Sequence, residues 1–514
     1  MSEILAAVDL GTTSVRCCLF ETNGNCLAAA GKEYPTAYPF PGAVEQDLSR
    51  MTDDTFDVCR QAMAAGEIDP VRVKAVSFST QRSCFCPVDR KGAIIRPMIS
   101  WQDSRTARQV ERMSQAISNE DFTARTGLPL STVNLLPKLL WMQENEPEEY
   151  AKIDKIVQCQ DVLLHAFGVD DWITDRSCAA FYGCWNVGQK SWDPLLLDLF
   201  QLTESRFGRP ELSGQVVGTI PRHVADKTGF AEGTPICLGA GDQNCSVLGM
   251  GAVRSGQVTI TLGTAGLVIL STENPRCDLP GMFCTNHIVP DLWNLEGLSN
   301  AAASSLRWYR DAFVTQIADE TKVGNVWSYF EQCATSVPPG ANGLLFLPYL
   351  AAAAAPHWNP DARGCLLGLA LSHGQGDVLR AIMEGVVFEV NEMLQVWRGR
   401  GIALDAIRLG GGATRSKLWN SIQADVYNCP VEIVREQETA ALGAALLAGY
   451  GVGLFSSLAE GVDAMVHADQ RIEPNAANQA CYQERFELFQ QSYHALNNGQ
   501  IFSRLAASTQ TKNT

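Results

Sequence analysis

Ala7-Val8-Asp9-Leu10-Gly11-Thr12-Thr13-Ser14-Val15-Arg16-Cys17-Cys18-Leu19-Phe20 sets two apolar, strand-like runs on either side of one glycine and three consecutive hydroxyls, with a single acid just ahead of the break. Glycine lets a backbone approach a bulky anion, and the N–H groups and hydroxyls of Thr12, Thr13 and Ser14 can donate to phosphate oxygens from a tight turn. A carboxylate there repels phosphate unless a cation stands between them, so Asp9 points to Mg2+ held mostly through water. An ordinary hairpin turn with surface threonines uses the same residues, and this stretch alone does not separate the two readings. Glu21 to Asn25 reads as a second turn, and Cys26 to Ala30 as the returning strand.

Downstream the pattern recurs. Gln257 to Leu270 is again an apolar strand, a Gly-Thr turn at Gly263 and Thr264, and an apolar strand. A duplicated phosphate-turn hairpin implies two similar domains facing one nucleotide.

Between the two copies, Arg50 to Ala65 has helical periodicity, and Val73 to Ser79 reads as a buried strand that ends at the polar cluster Thr80-Gln81-Arg82-Ser83. Cys84 to Val88 is a further strand. Trp101, Gln102, Asp103 and Arg105 follow it, and an aromatic face with bidentate polar groups suits a polyhydroxylated ligand. Asp103 could equally cap a helix from Ser104 to Met113. Leu135 to Tyr150 and Asp161 to Phe167 are helical, and Thr174 to Ser177 is a polar turn without an assigned role. In Pro235 to Asn244 a short buried strand enters a small-residue turn, where Gly239 and Gly241 leave room for substrate. Asp242 then starts a helix whose dipole favours its ionised form, although a plain cap needs no more than this.

After the second hairpin, Ser304 to Phe313 and Asp377 to Val396 are predicted helices, with a loop over Pro356 to Gly364. Ala406 to Leu409 leads into Gly410-Gly411-Gly412-Ala413 and a helix from Ser416 to Tyr427. Three glycines let the backbone lie flat against adenine and ribose, or simply turn tightly from strand to helix. Glu438 to Gly449 is an alanine-rich helix, Tyr482, Phe486, Phe489, Tyr493 and Leu496 form a core face, and 501–514 is expected to be a disordered tail.

A chain of 514 residues exceeds one core of usual size and predicts two to four domains. The net charge of -16 argues against nucleic acid and anionic membrane as partners. The start lacks a basic segment ahead of an apolar one, which predicts a cytoplasmic protein. Leu344 to Ala355 is short for a membrane span and contains Pro348. The 17 cysteines form no C-x-x-C pair and none of the seven histidines stands at H-x-x-x-H spacing, so buried free thiols are expected rather than zinc.

In this order, Asp9-Leu10-Gly11-Thr12-Thr13, Trp101-Gln102-Asp103, Gly241-Asp242-Gln243, Leu262-Gly263-Thr264 and Gly410-Gly411-Gly412-Ala413 resemble the FGGY carbohydrate kinases, over about residues 4 to 455. The resemblance implies an α/β fold of two actin-like (ribonuclease H-like) ATPase domains with an interdomain cleft. Residues 1–248 would form the sugar-binding N-terminal domain and 249–500 the ATP-binding C-terminal domain. It implies ATP and Mg2+ as cofactors and makes Asp242 the base for the attacking hydroxyl. Gly11, Thr12, Thr13 and Arg16 match positions near the phosphates, Gly263 and Thr264 the second phosphate turn, and Gly411, Gly412 and Ser416 the adenosine. Gln81, Arg82, Trp101, Asp103, Asp242 and Gln243 would face the sugar, and Asp9 would hold Mg2+ through water. The expected partner is a small sugar or polyol, with a homodimer as the only macromolecular association allowed for.

For the acceptor, Gln81-Arg82 and Asp242-Gln243 are similar to the glycerol kinase branch, but Ser83 and Val133 stand where that branch has glutamate and tyrosine. The xylulokinase branch usually carries Gln-Met-His and Asp-Asn at the same two places. The smaller residues at 83 and 133 leave space for a longer ligand and favour a pentulose such as D-xylulose, with glycerol or another polyol or signal molecule as the alternative. Ala303 replaces a usual glycine beside the nucleotide. A non-catalytic ATP- or sugar-binding sensor is the reading of a different class, and intact Asp9 and Asp242 count against it. No strand leads into G-x-G-x-x-G or G-x-x-x-x-G-K-S/T, which removes the dehydrogenase and P-loop ATPase readings.

Overall fold

Strands β1 (Ile4–Leu10), β2 (Ser14–Glu21) and β3 (Cys26–Glu33) form an antiparallel meander at the start of the chain, in a computed structural model that describes residues 3–314 and 325–510. Val73–Thr80 lies parallel to β1, Pro235–Cys237 parallel to Val73–Thr80, and Val216–Thr219 closes that edge antiparallel. The second sheet repeats this plan. Gln257–Leu262, Gly266–Thr272 and Trp293–Ser299 are the antiparallel meander, Ala406–Gly410 and Val431–Val434 the parallel pair, and Ala468–Ile472 the antiparallel edge. Phe283–Asn286 is added beyond Trp293–Ser299. The duplicated hairpin seen in the sequence is therefore one part of a duplicated sheet.

Alternation along β1 explains its two apolar faces. Ile4, Ala6 and Val8 point into a core covered by the helices Leu48–Ala65 and Cys159–Ala166, whereas Leu5 and Ala7 point to the opposite face. That opposite face is covered by helix Thr439–Gly451, whose residues Ala441 to Ala448 are all buried. The helix lies between the last two strands of the second sheet in sequence yet packs on the first. Its small side chains let it pass close to helix Asp242–Gly249. A Cβ on Gly443 would lie 1.9 Å from the Cys245 carbonyl oxygen, and one on Gly249 would lie 1.9 Å from that of Thr439. The two helices thus cross at reciprocal glycine contacts, and the Ser246 and Thr439 hydroxyls bond 2.7 Å apart at the same crossing.

Most predicted elements appear, with shifted ends: Leu48–Ala65 for 50–65, Gln375–Arg398 for 377–396, and Ser304–Phe313 as expected. Three expectations are corrected. Asp103 does not cap a helix, because the helix starts at Ala107 after Thr106 and Asp103 is committed elsewhere. Residues of the expected disordered tail form helix Ile501–Gln510, since Phe502 is buried and meets the Tyr493 ring. The polar turn 174–177 is a strand end and a short helix capped by the Asp175 carboxylate. The 17 cysteines are all free and 11 are buried. No helix among the described residues is long and apolar enough to cross a membrane.

Gly443→Ala should lower stability even though alanine is better than glycine in a helix by about 1 kcal/mol. The new methyl meets fixed backbone, and overpacking of that kind costs about 1–3 kcal/mol. Urea unfolding of the variant beside the parent checks the sign.

Candidate active site

The first turn is clamped from three directions. Gly11 N–H donates to the Ser14 carbonyl at 3.0 Å, Tyr34 N–H to the Thr13 carbonyl at 3.1 Å, and Gln46 Nε2 to the Thr12 carbonyl at 2.7 Å. Trp101, 38% exposed, donates its indole N–H to the Thr12 hydroxyl at 3.0 Å. Space beside Gly11 is open except for the Ser14 carbonyl oxygen. The second turn is one residue shorter: Gly263 N–H donates to the Ala265 carbonyl at 3.0 Å, and little crowds Gly263. Ala303 N–H and the Ser304 hydroxyl donate to the carbonyls of Gly263 and Thr264 at 2.8 and 2.7 Å, docking the start of helix Ser304–Phe313 on this turn.

The three glycines after Ala406–Leu409 have separate roles. Gly410 makes room for Met250, Gly411 takes a φ of +80° against Thr261, and Gly412 alone has open space beside it. Ser416 caps helix Lys417–Tyr427 by accepting from Trp419 N–H at 3.1 Å, and its own hydroxyl donates to Glu331. Gly239 and Gly241 do not clear space for substrate as expected. A Cβ at 239 would strike the Phe78 carbonyl oxygen at 1.7 Å, and one at 241 the Arg82 side chain at 2.4 Å.

Asp242 opens helix Asp242–Gly249, with its side chain 25% exposed. Burial pushes its carboxyl above the ordinary carboxylate range, outweighing Arg82 and the Gln243 N–H, which favour the ion. Its helix-start position therefore does not leave it a stronger acid than usual. Ser177, oriented by Asp175, accepts from Gly241 N–H at 3.0 Å and fixes the turn that aims Asp242. This is the role of the unassigned 174–177 stretch.

Arg82 lies 3.8 Å from Asp242 through Nε, but its other nitrogens grip Glu296 at 2.9 and 2.8 Å and reach Asn244 at 3.0 Å. The guanidinium also lies over the Phe181 ring at 4.5 Å. Glu296 belongs to the second sheet, so this pair spans both halves of the chain. Sequence reasoning missed Glu296, because no local period marks a partner 214 positions away. Gln81 Nε2 donates to Gln46, while its buried Oε1 has no partner within the protein and is free to accept from a ligand hydroxyl. Gln243 is partly exposed beside Asp242. Asp103 lies behind the site: it is buried, accepts from Val44 N–H at 2.6 Å, and pairs with Arg105 at 2.8 Å. It holds the Val44–Gln46 segment in place and offers no free oxygen to a sugar.

Asp9 accepts from the Ser79 hydroxyl at 2.6 Å. Burial first, then the Asp242 and Glu438 carboxylates, push it up to about 7, and Arg16 opposes them. Arg16 is ion-paired with Glu438 at the start of helix Thr439–Gly451, so the predicted phosphate ligand bridges the two halves in this structure. Three carboxylates facing two arginines make a donor set that a hard cation would relieve. No cluster of three metal-ligating side chains forms among the described residues, so the set fits a cation that keeps its waters and takes most of its oxygen ligands from phosphate.

Comparisons with known proteins agree with this geometry. The model of the FGGY family of carbohydrate kinases, N-terminal domain, matches residues 4–249, and that of the C-terminal domain matches 258–452. A xylulose kinase of Bacillus subtilis is 29% identical over 95% of this chain and 96% of its own length. A glycerol kinase of Solidesulfovibrio magneticus is 32% identical over 93% of this chain and 95% of its own. The crystal structure of xylulose kinase from Rhodospirillum rubrum superposes with a TM-score of 0.89 at 26% identity, covering 98% of this chain and all of that one. With twin glycine turns, a partly exposed aspartate at a helix start and both family domains along its length, this chain belongs to the FGGY family of carbohydrate kinases and has their two-domain actin-like ATPase fold.

Proposed function

We propose that the protein phosphorylates a hydroxyl of a small sugar or polyol at the expense of ATP, with a pentulose such as D-xylulose as acceptor, and that Asp242 is its catalytic base. The observation that carries this reading is the position of Asp242: partly open, raised in pKa, close enough to act on Asp9 ahead of the first turn, and beside Arg82, which is paired with Glu296 of the second sheet. A carboxylate with a raised pKa accepts a proton from an alcohol better than an ordinary one.

Phosphoryl transfer needs alignment, neutralised charge and one placed proton acceptor. The turn at Gly11–Thr13 and the turn at Gly263–Thr264 would supply N–H and hydroxyl donors to the phosphates, with Gly412 and Ser416 beside the adenosine. Asp9 would hold Mg2+ through water, and bound Mg2+ supplies neutralisation of the phosphate charge. Gln81 Oε1, Arg82, Trp101 and Gln243 orient the sugar, and Asp242 takes the proton of its attacking hydroxyl. Ser83 turns its hydroxyl onto the Val133 carbonyl, away from an acceptor, and both side chains are small, which supports a pentulose. The retained Arg82 and Trp101 favour glycerol or another polyol as the second reading.

Asp242→Asn should fold and bind ATP but lose sugar phosphorylation by roughly 10²–10⁴-fold. A coupled ADP-release assay with D-xylulose and glycerol reads this. The base must be ionised, so kcat should fall toward acid pH with its limb above the usual carboxylate range, because burial raises Asp242. Arg82 opposes that rise, so Arg82→Met should move the limb to higher pH. Asp9 acts on stability with the same sign: its pKa is about 7 in the fold against an ordinary 3.8. Its neutral form favours the fold fully below the ordinary value, and that favour is lost as pH rises through about 7. The nucleotide-free protein should therefore melt higher at pH near 6 than near 8, and Asp9→Asn should remove part of that slope.

A further inference from the structure

A cavity of about 1090 Å3 lies between the two halves of the chain, bounded by residues 119–133 on one side and 275–283 with Trp358 on the other. It adjoins the candidate site at two points. Val133 lines it, and the Val133 carbonyl is held by the hydroxyl of Ser83, the residue after Arg82, and by the buried Lys138 ammonium, which also donates to the Ser83 carbonyl at 2.7 Å. Phe283 lines it as well, and its cross-strand neighbour is Glu296, the partner of Arg82. The cavity thus begins where the Arg82 segment ends.

Its chemistry differs from that of the sugar site. Leu130, Val133, Leu279, Met282, Phe283 and Trp358 give it an apolar wall, with Trp358 stacked on Phe283 at 5.4 Å and held by an indole bond to the Gly281 carbonyl. Its only charged lining residues are Glu120 and Asp278, and no basic side chain lines it. The Thr123 hydroxyl, buried and without a partner, also lines it. Such walls reward apolar area and reject an anion, since nothing there would repay the desolvation of a carboxylate or phosphate. A bare triose or pentulose seated at Arg82 and Asp242 leaves this volume untouched.

We infer that the cavity receives the far end of the acceptor, so that the preferred substrate is a neutral sugar or polyol carrying an apolar substituent remote from the hydroxyl that is phosphorylated. The inference rests on the kinase reading above and narrows its substrate class. Each buried methylene is worth roughly fourfold in binding, so a substituent that fills a fraction of the cavity outweighs the bare sugar by more than an order of magnitude.

Steady-state kinetics of the full chain with D-xylulose and with 1-O-benzyl-D-xylulose test this. The benzyl ether should show kcat/KM at least tenfold higher, mostly through KM. Leu130→Trp, which fills the cavity, should abolish that advantage while D-xylulose turnover stays within about twofold, and Ala124→Phe serves the same purpose if Leu130→Trp does not fold. A benzyl ether turned over no better than D-xylulose overturns the inference and leaves the kinase reading standing, as does an advantage that survives the filling variants. Phosphorylation of neither compound nor of glycerol overturns the kinase reading, and this inference with it.

Discussion

Two carbonyl oxygens resting against two glycines hold the molecule together where it matters. Helix Asp242–Gly249 and helix Thr439–Gly451 come from different halves of the chain, and they cross with the backbone of each in contact with the other at Gly249 and Gly443. Each helix begins at the site: one with Asp242, the other immediately after Glu438. Close backbone contact leaves little slack, so the crossing sets the separation of the two carboxylates that flank Asp9. It also ties the first sheet to the second, because the later helix packs on β1 through Leu5 and Ala7. Larger residues at the crossing would move the base relative to the phosphate turns before they disturbed either core.

Electrostatics in the cleft follow from that spacing. Burial raises the proton affinity of both Asp9 and Asp242, and the Asp242 and Glu438 carboxylates raise that of Asp9 further. Arg82 and Arg16 answer this charge incompletely, since each is already engaged across the halves, Arg82 with Glu296 and Arg16 with Glu438. The pairing of Arg82 with Glu296 keeps the guanidinium from closing fully on Asp242. A base paired directly to arginine would be a weaker base.

The features legible in the sequence were those written in neighbouring residues. The Gly-Thr turns, the buried strands, Asp242 at a helix start and the core face of Tyr482, Phe489 and Tyr493 all have a local period or a local turn chemistry. What was hidden depends on residues far apart. Glu296, Glu438 and Asn244 are ordinary polar residues until the fold brings them to arginines. Glycine was read correctly as a mark of close approach, but the approaching group was not always a ligand: backbone at Gly239, a side chain at Gly241. Asp103 looked like a ligand or a cap and is neither, because Arg105 and Val44 take its oxygens. Residues 501–510 were expected to be loose because they are terminal, yet Phe502 anchors their helix, while 511–514 lie outside the described residues.

The two sheets share the order of their meander and first parallel strand, but the chain spends itself differently within them. Between Val73–Thr80 and Val216–Thr219 of the first sheet runs a long excursion that carries Arg82, Trp101 and Val133, whereas Asp9, Asp242 and both glycine turns lie on the repeated framework itself. What the two halves share and what sets them apart therefore lie on separately variable parts. The excursion can change while the repeated framework is kept, and relatives named xylulose kinase, gluconokinase and glycerol kinase match along nearly the whole of this chain.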